Sequence, residues 1–333
     1  MEGMRLNDLH SPVYLSTGNE ICQTVKAGRS VAVPLFLSSM TSWQYGDQLI
    51  IDYELSHTNT IGQTEKVQEG QQTIAYQKYM QKALTPLTIE MPKTTGLATL
   101  KLKVSTTRGK VLHRNFMHFE VLDGAKLANT NIFSVTANKY SEANWSKKQW
   151  QVLDGKKVNG AGKGFFKYTF DIPASISQQK VKESYFLVEV SAKELFVKDM
   201  QTYNTDQDFM RGSKVAPSSN PNAYPMTDET LFSSDIRVLV NGQEVYTTTL
   251  KDDPADHRGV LSWHNQLKDR KLREAGSYGY LIKVPISKEA LAFSAKNNGN
   301  LTVRLATKAE GGIAVYGKDF GRYMIDPSLV FKY

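Results

Sequence analysis

Apolar and polar residues alternate along most of the chain in short runs, and turn residues separate these runs at intervals of roughly 8–12 residues. Neighbouring side chains of a strand point to opposite faces, so this alternation predicts strands that bury one face. The first block of the chain is predicted to form strands at Ile21–Val25, Ser30–Leu37, Asp47–Leu55, Gln72–Tyr76, Leu84–Met91, Ala98–Ser105 and Val111–Leu122.

The turns between these strands are explicit in the sequence. The segment Lys26–Arg29 contains Gly28, which tolerates the positive φ of a tight hairpin, and Thr106–Lys110 contains Gly109. Several short strands joined by such turns predict an immunoglobulin-like β-sandwich over residues 19–124, preceded by a linker over residues 1–18.

A polar joint rich in small residues follows at Leu122–Asn131, and we place a domain boundary there. The second domain, residues 130–333, is also predicted to consist mostly of strands. It contains one long irregular segment, 199–231, and one helix, Ser287–Ala295, with Ser287 as the N-cap. The predicted strands are Gly164–Ile172, Ser184–Ser191, Asp235–Val240, Glu244–Leu250, Tyr278–Pro285, Asn300–Leu305 and Gly312–Tyr316.

One local pattern in the second domain resembles a known fold. The pair Asn241-Gly242 between two strands is a strong hairpin signal, because a type I′ turn needs positive φ at both central residues. The segments Tyr280–Ile286 and Gly299–Leu305 follow in the order and spacing found in galactose-binding-like jelly rolls. The resemblance implies that the second domain is a galactose-binding-like jelly-roll β-sandwich, and that the chain is all-β.

Two further segments, Asp253–His264 and Gly311–Tyr323, resemble the C-terminal modules of bacterial family 2 glycoside hydrolases, which include β-galactosidase-like proteins. Arg5–Gly18 resembles the segment that leaves the catalytic barrel of such enzymes, and His113–Glu120 resembles the last strand of their immunoglobulin-like domain. The resemblance implies an accessory region that frames the catalytic domain of a larger glycosidase. Family 2 enzymes carry their two catalytic glutamates on a (β/α)₈ barrel of ~250 residues, and this chain lacks that alternation of strands and helices. We therefore expect no catalytic residue and no enzymatic activity in this chain.

Composition and charge narrow the choice of partners. The formal net charge is +8, and the 41 lysines and arginines are scattered without a block of five. Scattered basic residues favour a solvated surface over a nucleic-acid footprint, and an acidic polysaccharide is the more specific alternative. No apolar run approaches the ~18 residues of a membrane span. The single cysteine, Cys22, excludes an intrachain disulfide.

The start of the chain favours an excised fragment. Residues 1–10 contain no apolar segment long enough for a secretory signal, and Met1–Met4 leads at once into the family-like segment. The alternative is a cytoplasmic protein. For the parent glycosidase that the resemblance implies, we expect the periplasm or the cell exterior, although this chain shows no signal peptide.

The titratable residues give little support for catalysis or metal binding. The carboxylates Asp252, Asp253 and Asp256 lie close together beside Pro254, where turn formation explains them better than glycoside hydrolysis does. The six histidines show no metal-binding spacing, and no cofactor is expected. The jelly-roll resemblance is compatible with a structural calcium ion, whose ligands the sequence does not identify.

Sugar binding is the remaining chemistry, and it requires aromatic faces together with planar polar groups. For the tryptophans the alternative role is packing, and for the arginines it is a salt bridge to a nearby aspartate. The candidate carbohydrate-binding residues are Trp145, Arg258, Trp263, His264, Tyr316, Arg322 and Tyr323.

The resulting expectation is a non-catalytic β-sandwich region of a family 2 glycoside hydrolase that frames the catalytic domain and has candidate residues for carbohydrate binding. The alternative is a stand-alone carbohydrate-binding or cell-surface adhesion protein. The upstream coding sequence distinguishes them, because only the first expectation requires a barrel-like pattern of strands and helices there.

Overall fold

The structure is a computed structural model, and it describes residues 6–152, 154–173, 176, 180–193, 233–251 and 279–333. Strands dominate these residues, and the only helices among them are α1 (Leu6–Leu9) and α2 (Lys288–Lys296). The prediction of an all-β sandwich chain is therefore confirmed. The long segment 199–231 lies outside the described residues.

The described residues form two compact units, the first ending at Ala128 and the second beginning at Asn129. The first unit contains α1 and eight strands. These strands are β1 (Val13–Thr17), β2 (Cys22–Lys26), β3 (Ser30–Ser39), β4 (Gln48–Asn59), β5 (Thr64–Ala75), β6 (Gln81–Glu90), β7 (Gly96–Thr106) and β8 (Val111–Leu122).

The first unit is a sandwich of two sheets. One sheet has the strand order β1-β3-β6 and the other has the order β2-β8-β7-β4-β5. All neighbours are antiparallel except β2 and β8, which run parallel. Residues 1–18, which the sequence suggests to be a linker, contribute β1 to the smaller sheet, where Val13 and Leu15 are buried in the core.

The core of the first unit follows the period-two rule. Along β7, alternate residues Ala98, Leu100, Leu102 and Val104 are buried in the core. Along β5, by contrast, nearly every residue from Thr64 to Thr73 is exposed or half-buried, since β5 is an edge strand.

The second unit contains α2 and the remaining strands in the described part of the chain. These are β9 (Thr130–Ser134), β10 (Glu142–Trp145), β11 (Lys148–Val152), β12 (Lys157–Ala161), β13 (Gly164–Asp171), β14 (Glu183–Ala192), β15 (Ser234–Val240), β16 (Gln243–Leu250), β17 (Tyr280–Pro285), β18 (Asn300–Thr307), β19 (Gly312–Tyr316) and β20 (Ser328–Lys332).

These strands also form two sheets. The smaller has the order β10-β13-β18-β15-β16. The larger has the order β11-β12-β19-β14-β20-β9, and β17 also pairs with β14. Asn241 and Gly242 turn β15 into β16 with φ values of 49° and 84°, as the Asn-Gly pair predicts. The predicted helix is present as α2, and the Ser287 hydroxyl caps it by accepting from Ala290 N at 3.2 Å.

The larger sheet of the second unit is buried on both faces along three of its strands. All five residues of β12 and all five of β19 are buried, as is β14 from Tyr185 to Ala192. Val188 and Val190 of β14 point into the core between the two sheets. Their neighbours Glu189 and Ser191 point to the opposite face, so that face carries polar residues that are also buried.

Candidate functional site

Two features depart from the usual rule of apolar inside and charged outside. One is an exposed aromatic group in the first unit, and the other is a buried polar group in the second unit. Both kinds of exception are informative, because exposed large apolar side chains often mark binding surfaces and buried charges must be compensated.

The exposed group lies at one end of the first sandwich, where three loops meet. These loops are 40–47 between β3 and β4, 76–80 between β5 and β6, and 107–110 between β7 and β8. Strand pairing brings them together, because Ser38 pairs with Gln81, Gln48 with Ala75 and Leu49 with Thr106. We call this surface the aromatic end.

Trp43 and Tyr79 are the aromatic residues most open to solvent here. The Trp43 side chain is 71% exposed and the Tyr79 side chain is 63% exposed. Met40, in the same loop as Trp43, is 77% exposed. A tryptophan this exposed loses the hydrophobic stabilisation that burial would give it, so it contributes little to folding.

Hydrogen bonds join the two loops that carry these rings. The Gln44 amide follows Trp43 directly, and its Oε1 accepts from Lys78 N at 3.2 Å, next to Tyr79. The same amide donates through Nε2 to Gly46 O at 2.6 Å and to Tyr76 O at 3.4 Å. The positions of Trp43 and Tyr79 are therefore fixed by contacts that do not involve their rings.

A buried tyrosine holds the Trp43 loop from below. The Tyr76 hydroxyl donates to Trp43 O at 3.2 Å and also lies 3.0 Å from Ser39 Oγ. On the other side of the turn, Trp43 N donates to Thr41 Oγ1 at 3.1 Å. The indole is thus presented by a backbone that is ordered before any ligand arrives, which reduces the entropy lost on binding.

Tyr79 has an unusual backbone conformation. Its φ is +54°, in the left-handed region that a tyrosine rarely adopts. Such a conformation costs about 1 kcal/mol for a residue with a side chain, so glycine would be the better residue for stability alone. Strain that coincides with an exposed ring is typical of a functional position.

The aromatic end is basic. Its three loops contain Lys78, Arg108 and Lys110, and Asp47 is their only acidic residue. All four of these residues are exposed. The Lys110 ammonium lies 5.4 Å from the centre of the Tyr45 ring, a cation–π distance that places positive charge beside the aromatic rings.

The buried polar group lies on the outer face of the larger sheet of the second unit. Strand register aligns Trp150 of β11, Asn159 of β12, Ala314 of β19 and Ser191 of β14 in one row. A second row aligns Lys157, Tyr316 and Glu189. We call this surface the polar face.

Aromatic rings surround the lysines of the polar face. The Lys157 ammonium lies 4.9 Å from the Tyr316 ring centre and 5.5 Å from that of Phe320. The ammonium groups of Lys148 and Lys193 lie 5.4 Å and 5.5 Å from the Trp150 ring. These contacts compensate part of the cost of burying Lys157 and Lys193.

Glu189 is fully buried and acts as an anchor for two segments. Its Oε1 accepts from Gly279 N at 2.8 Å and from Arg322 N at 3.1 Å, and its Oε2 accepts from Tyr323 N at 3.1 Å. Burial raises the pKa of Glu189, and the three backbone hydrogen bonds oppose that shift. The Glu189 carboxylate therefore has a structural role, because it binds the backbone of two chain segments.

The described part of the chain contains four of the seven predicted sugar-binding residues. Arg322 and Tyr323 are half-buried and are positioned by their backbone bonds to Glu189. Tyr316 is fully buried, and its hydroxyl lies 3.0 Å from Ser191 Oγ. Arg258, Trp263 and His264 lie outside the described residues, as do Asp252, Asp253 and Asp256. Carbohydrate binding by this set stays a prediction.

Trp145 is a packing residue in this structure. Its ring lies 5.0 Å from that of Phe166, and it belongs to the core of the second unit. A Cβ built on Gly160 would come within 1.9 Å of Trp145 Cε2, and one on Gly164 within 2.6 Å of Trp145 Cε3. The glycine-rich segment Gly160–Gly164, which superficially suggests a phosphate loop, therefore provides space for an indole.

Sequence reasoning missed the aromatic end and most of the polar face. Signals for the polar face exist, because Glu189, Ser191 and Lys193 alternate with Val188 and Val190 within an otherwise apolar strand. For the aromatic end the only signal is a tryptophan and a tyrosine in turn segments, and no local pattern brings these two loops together.

The described residues contain no group of three or more histidine, cysteine, aspartate or glutamate side chains that could hold a metal ion. Neither helix in this part of the chain has the length and apolar character needed to cross a membrane. The arrangement at the aromatic end can bind a flat, partly apolar ligand and can attract negative charge.

Comparisons with known proteins identify no family. No protein-family model matches the chain, and no curated protein matches it. One similar solved structure is a family 86 glycoside hydrolase in complex with neoagarooctaose, at 12% identity and a TM-score of 0.23, covering 96% of this chain and 33% of that one. Another is the alkylpurine DNA glycosylase AlkC of Pseudomonas fluorescens bound to DNA containing an abasic site analog.

The AlkC match also has 12% identity and a TM-score of 0.23, and covers 33% of this chain and 31% of that one. This chain therefore spans about a third of the length of each of these two structures. Similarity at this level carries no argument about function, so the function must be argued from the residues.

Proposed function

We propose that this chain is a non-catalytic β-sandwich region of a family 2 glycoside hydrolase, and that it binds carbohydrate at the aromatic end of its first unit. The observation that carries the proposal of carbohydrate binding is the exposed pair Trp43 and Tyr79 on loops that hydrogen bonds hold in place. The assignment to family 2 rests on the sequence resemblance.

The chemistry of a sugar ring fits this surface. A pyranose has a face of C–H groups that packs against the flat face of an indole or phenol, and its hydroxyls need polar partners at the rim. Trp43 and Tyr79 supply two such faces from neighbouring loops. The exposed side chains of Lys78 and Lys110 supply hydrogen-bond donors in the same loops.

Support for a non-catalytic role comes from the requirements of glycoside hydrolysis. The reaction uses two carboxyl groups ~5–9.5 Å apart, one of which must be able to give up a proton to the leaving group. Glu189, which is the fully buried acid among the described residues of the second unit, accepts three backbone hydrogen bonds and holds two segments in place. Its role is structural, and the parent enzyme would supply the catalytic pair.

The binding proposal is tested by calorimetric titration of the whole chain with oligosaccharides, including cellohexaose, xylohexaose and tetragalacturonate. At least one should bind, and Trp43→Ala should weaken binding by about tenfold, because one aromatic stacking partner is lost. Phe293→Ala is the matched control, since Phe293 is an exposed aromatic residue of the second unit. Absence of binding across the panel would contradict the proposal.

Positioning of the indole is tested separately. Tyr76→Phe removes the hydroxyl that donates to Trp43 O but leaves every exposed ring in place. Affinity should fall by about threefold, because the loop must then be ordered on binding. Unchanged affinity would show that the loop does not need this contact.

Lack of catalysis is tested on aryl glycosides. The isolated chain should release no phenol above the level of a buffer control. Activity that survives purification and is lost on replacing a single carboxylate of this chain would contradict the non-catalytic role. We further propose the periplasm or the cell exterior as the location of the parent protein, where polysaccharides are encountered.

A further inference from the structure

The charge of the aromatic end points to a particular class of carbohydrate. Three cations, Lys78, Arg108 and Lys110, occur in its three loops against one anion, Asp47. Loop 40–47 carries the anion and no cation, whereas the two shorter loops carry the three cations and no anion. A neutral glycan could accept hydrogen bonds from these cations, but only an acidic one would form charge-assisted hydrogen bonds with them.

The positions of two cations, Lys110 and Lys78, support a role in binding. The Lys110 ammonium lies over the Tyr45 ring, and Tyr45 lies two residues from Trp43 in the same loop. Lys78 directly precedes Tyr79, and its backbone forms part of the link to Gln44. Each exposed aromatic ring therefore has a cation in or beside its own loop.

We propose that the aromatic end selects a glycan strand whose sugar rings carry carboxylate or sulfate groups. This inference rests on the proposed function, because it presumes that Trp43 and Tyr79 stack on sugar rings. Ammonium and guanidinium groups form charge-assisted hydrogen bonds to carboxylate and sulfate oxygens. Stacking then provides affinity for the ring, and the cations discriminate between acidic and neutral sugars.

A single-stranded nucleic acid is the other anionic polymer that stacks on aromatic residues. Proteins that bind it use a positively charged groove that follows the backbone over several nucleotides. Here the cations are confined to short loops at one end of a sandwich, and the basic residues of the chain are otherwise scattered. The distribution favours recognition of a few charged sugar residues.

The experiment compares four probes on the whole chain by calorimetry at low salt. They are tetragalacturonate for carboxylate, a chondroitin sulfate tetrasaccharide for sulfate together with carboxylate, cellotetraose as the neutral sugar, and oligo(dT). At least one acidic saccharide should bind about tenfold more tightly than cellotetraose. The difference should shrink at about 0.5 M salt, where exposed charges are screened.

Two charge-reversal variants test whether the preference for acidic saccharides arises at the aromatic end. Lys78→Glu and Lys110→Glu should each reduce affinity for the acidic saccharide by about fivefold more than they reduce affinity for cellotetraose. Lys93→Glu is the matched control, because it changes the net charge equally at an exposed lysine. Lys93 lies in the loop after β6, at the opposite end of the first sandwich.

The outcomes separate this inference from the proposed function. If cellotetraose binds as tightly as the acidic saccharides and Trp43→Ala weakens all of them, the inference is overturned and sugar binding stands. If no saccharide binds, the proposed function fails, and the inference fails with it. Tighter binding of oligo(dT) than of every saccharide overturns the inference in favour of a nucleic-acid ligand.

Discussion

The aromatic end of the first unit and the polar face of the second are opposite exceptions to the same rule. At the aromatic end, Trp43 and Tyr79 are apolar rings in contact with solvent. On the polar face, Lys157, Glu189 and Lys193 are charged residues that solvent barely reaches. The first arrangement contributes little to folding and is open to a ligand, whereas the second is enclosed and holds chain segments together.

This difference distinguishes the proposed binding surface from a structural polar cluster by what each side chain contacts. The oxygens of Glu189 are occupied by three backbone N–H groups. The rings of Trp43 and Tyr79, in contrast, are positioned by backbone contacts that leave the rings themselves exposed. Substitutions should therefore affect stability in one region and binding in the other.

The largest effect is expected on the polar face. Glu189→Leu leaves three N–H groups without an acceptor, one of them in a buried and two in part-buried hydrogen bonds, and should destabilise the second unit by about 4 kcal/mol. Glu189→Gln keeps one carbonyl oxygen as an acceptor and should destabilise the second unit by less. Hydrogen exchange resolved by unit is the measurement, because two units need not unfold together. Equal protection in the wild type and Glu189→Leu would show that the anchor is dispensable.

Acid should destabilise the first unit. His113 is fully buried, its Nδ1 accepts from Leu15 N at 3.1 Å, and burial lowers its pKa from 6.5 to about 4, with Asp8 opposing the shift. The unfolded chain binds the proton more readily, so stability is complete above pH 6.5 and falls as the pH drops toward 4. The loss is about 3 kcal/mol.

This pH dependence is measured by urea denaturation of the first unit, followed between pH 7 and pH 4. His113→Gln should make the profile less steep over that window, and part of the remaining slope comes from His57, whose pKa is also lowered by burial. His10→Gln, at an exposed histidine, should leave the profile as steep as in the wild type. An unchanged slope in His113→Gln would assign the effect to other groups.

A substitution that disturbs the packing around Trp145 should cause a smaller loss of stability. Gly160→Ala places a methyl group against the indole, which must move within a filled core, at a cost of about 2 kcal/mol to the second unit. Gly28→Ala is the control, because nothing lies within 4 Å of a Cβ there and only the positive φ of 67° resists the change. Thermal unfolding monitored by tryptophan fluorescence provides the comparison.

The smallest expected change is an increase in stability. Tyr79→Gly relieves the strain of φ +54° and should stabilise the first unit by up to about 1 kcal/mol. The same variant should bind saccharide more weakly, since one exposed ring is lost. A gain in stability together with a loss of affinity would identify Tyr79 as a residue kept for binding. Lower stability in Tyr79→Gly would contradict this.

Some elements of the fold were predicted well because their signals are local. The Asn241-Gly242 hairpin and the Ser287-capped helix depend on residues within a few positions of each other. The edge strand β5 was only partly predicted, because its first half is polar on both faces and lacks alternation. The short strand β1 lies within the predicted linker, because five residues give too little periodicity to predict a strand.

Period-two patterning and turn residues act over short distances, so the strands of this chain and most of its turns can be predicted from neighbouring residues. Which rings stay exposed and which charges are buried depends on how distant segments pack together. Trp43 and Tyr79 are 36 residues apart and meet through loop contacts, and Glu189 receives its hydrogen bonds from residues 90 to 134 positions away. Burial depends on such distant pairings, which no local pattern specifies.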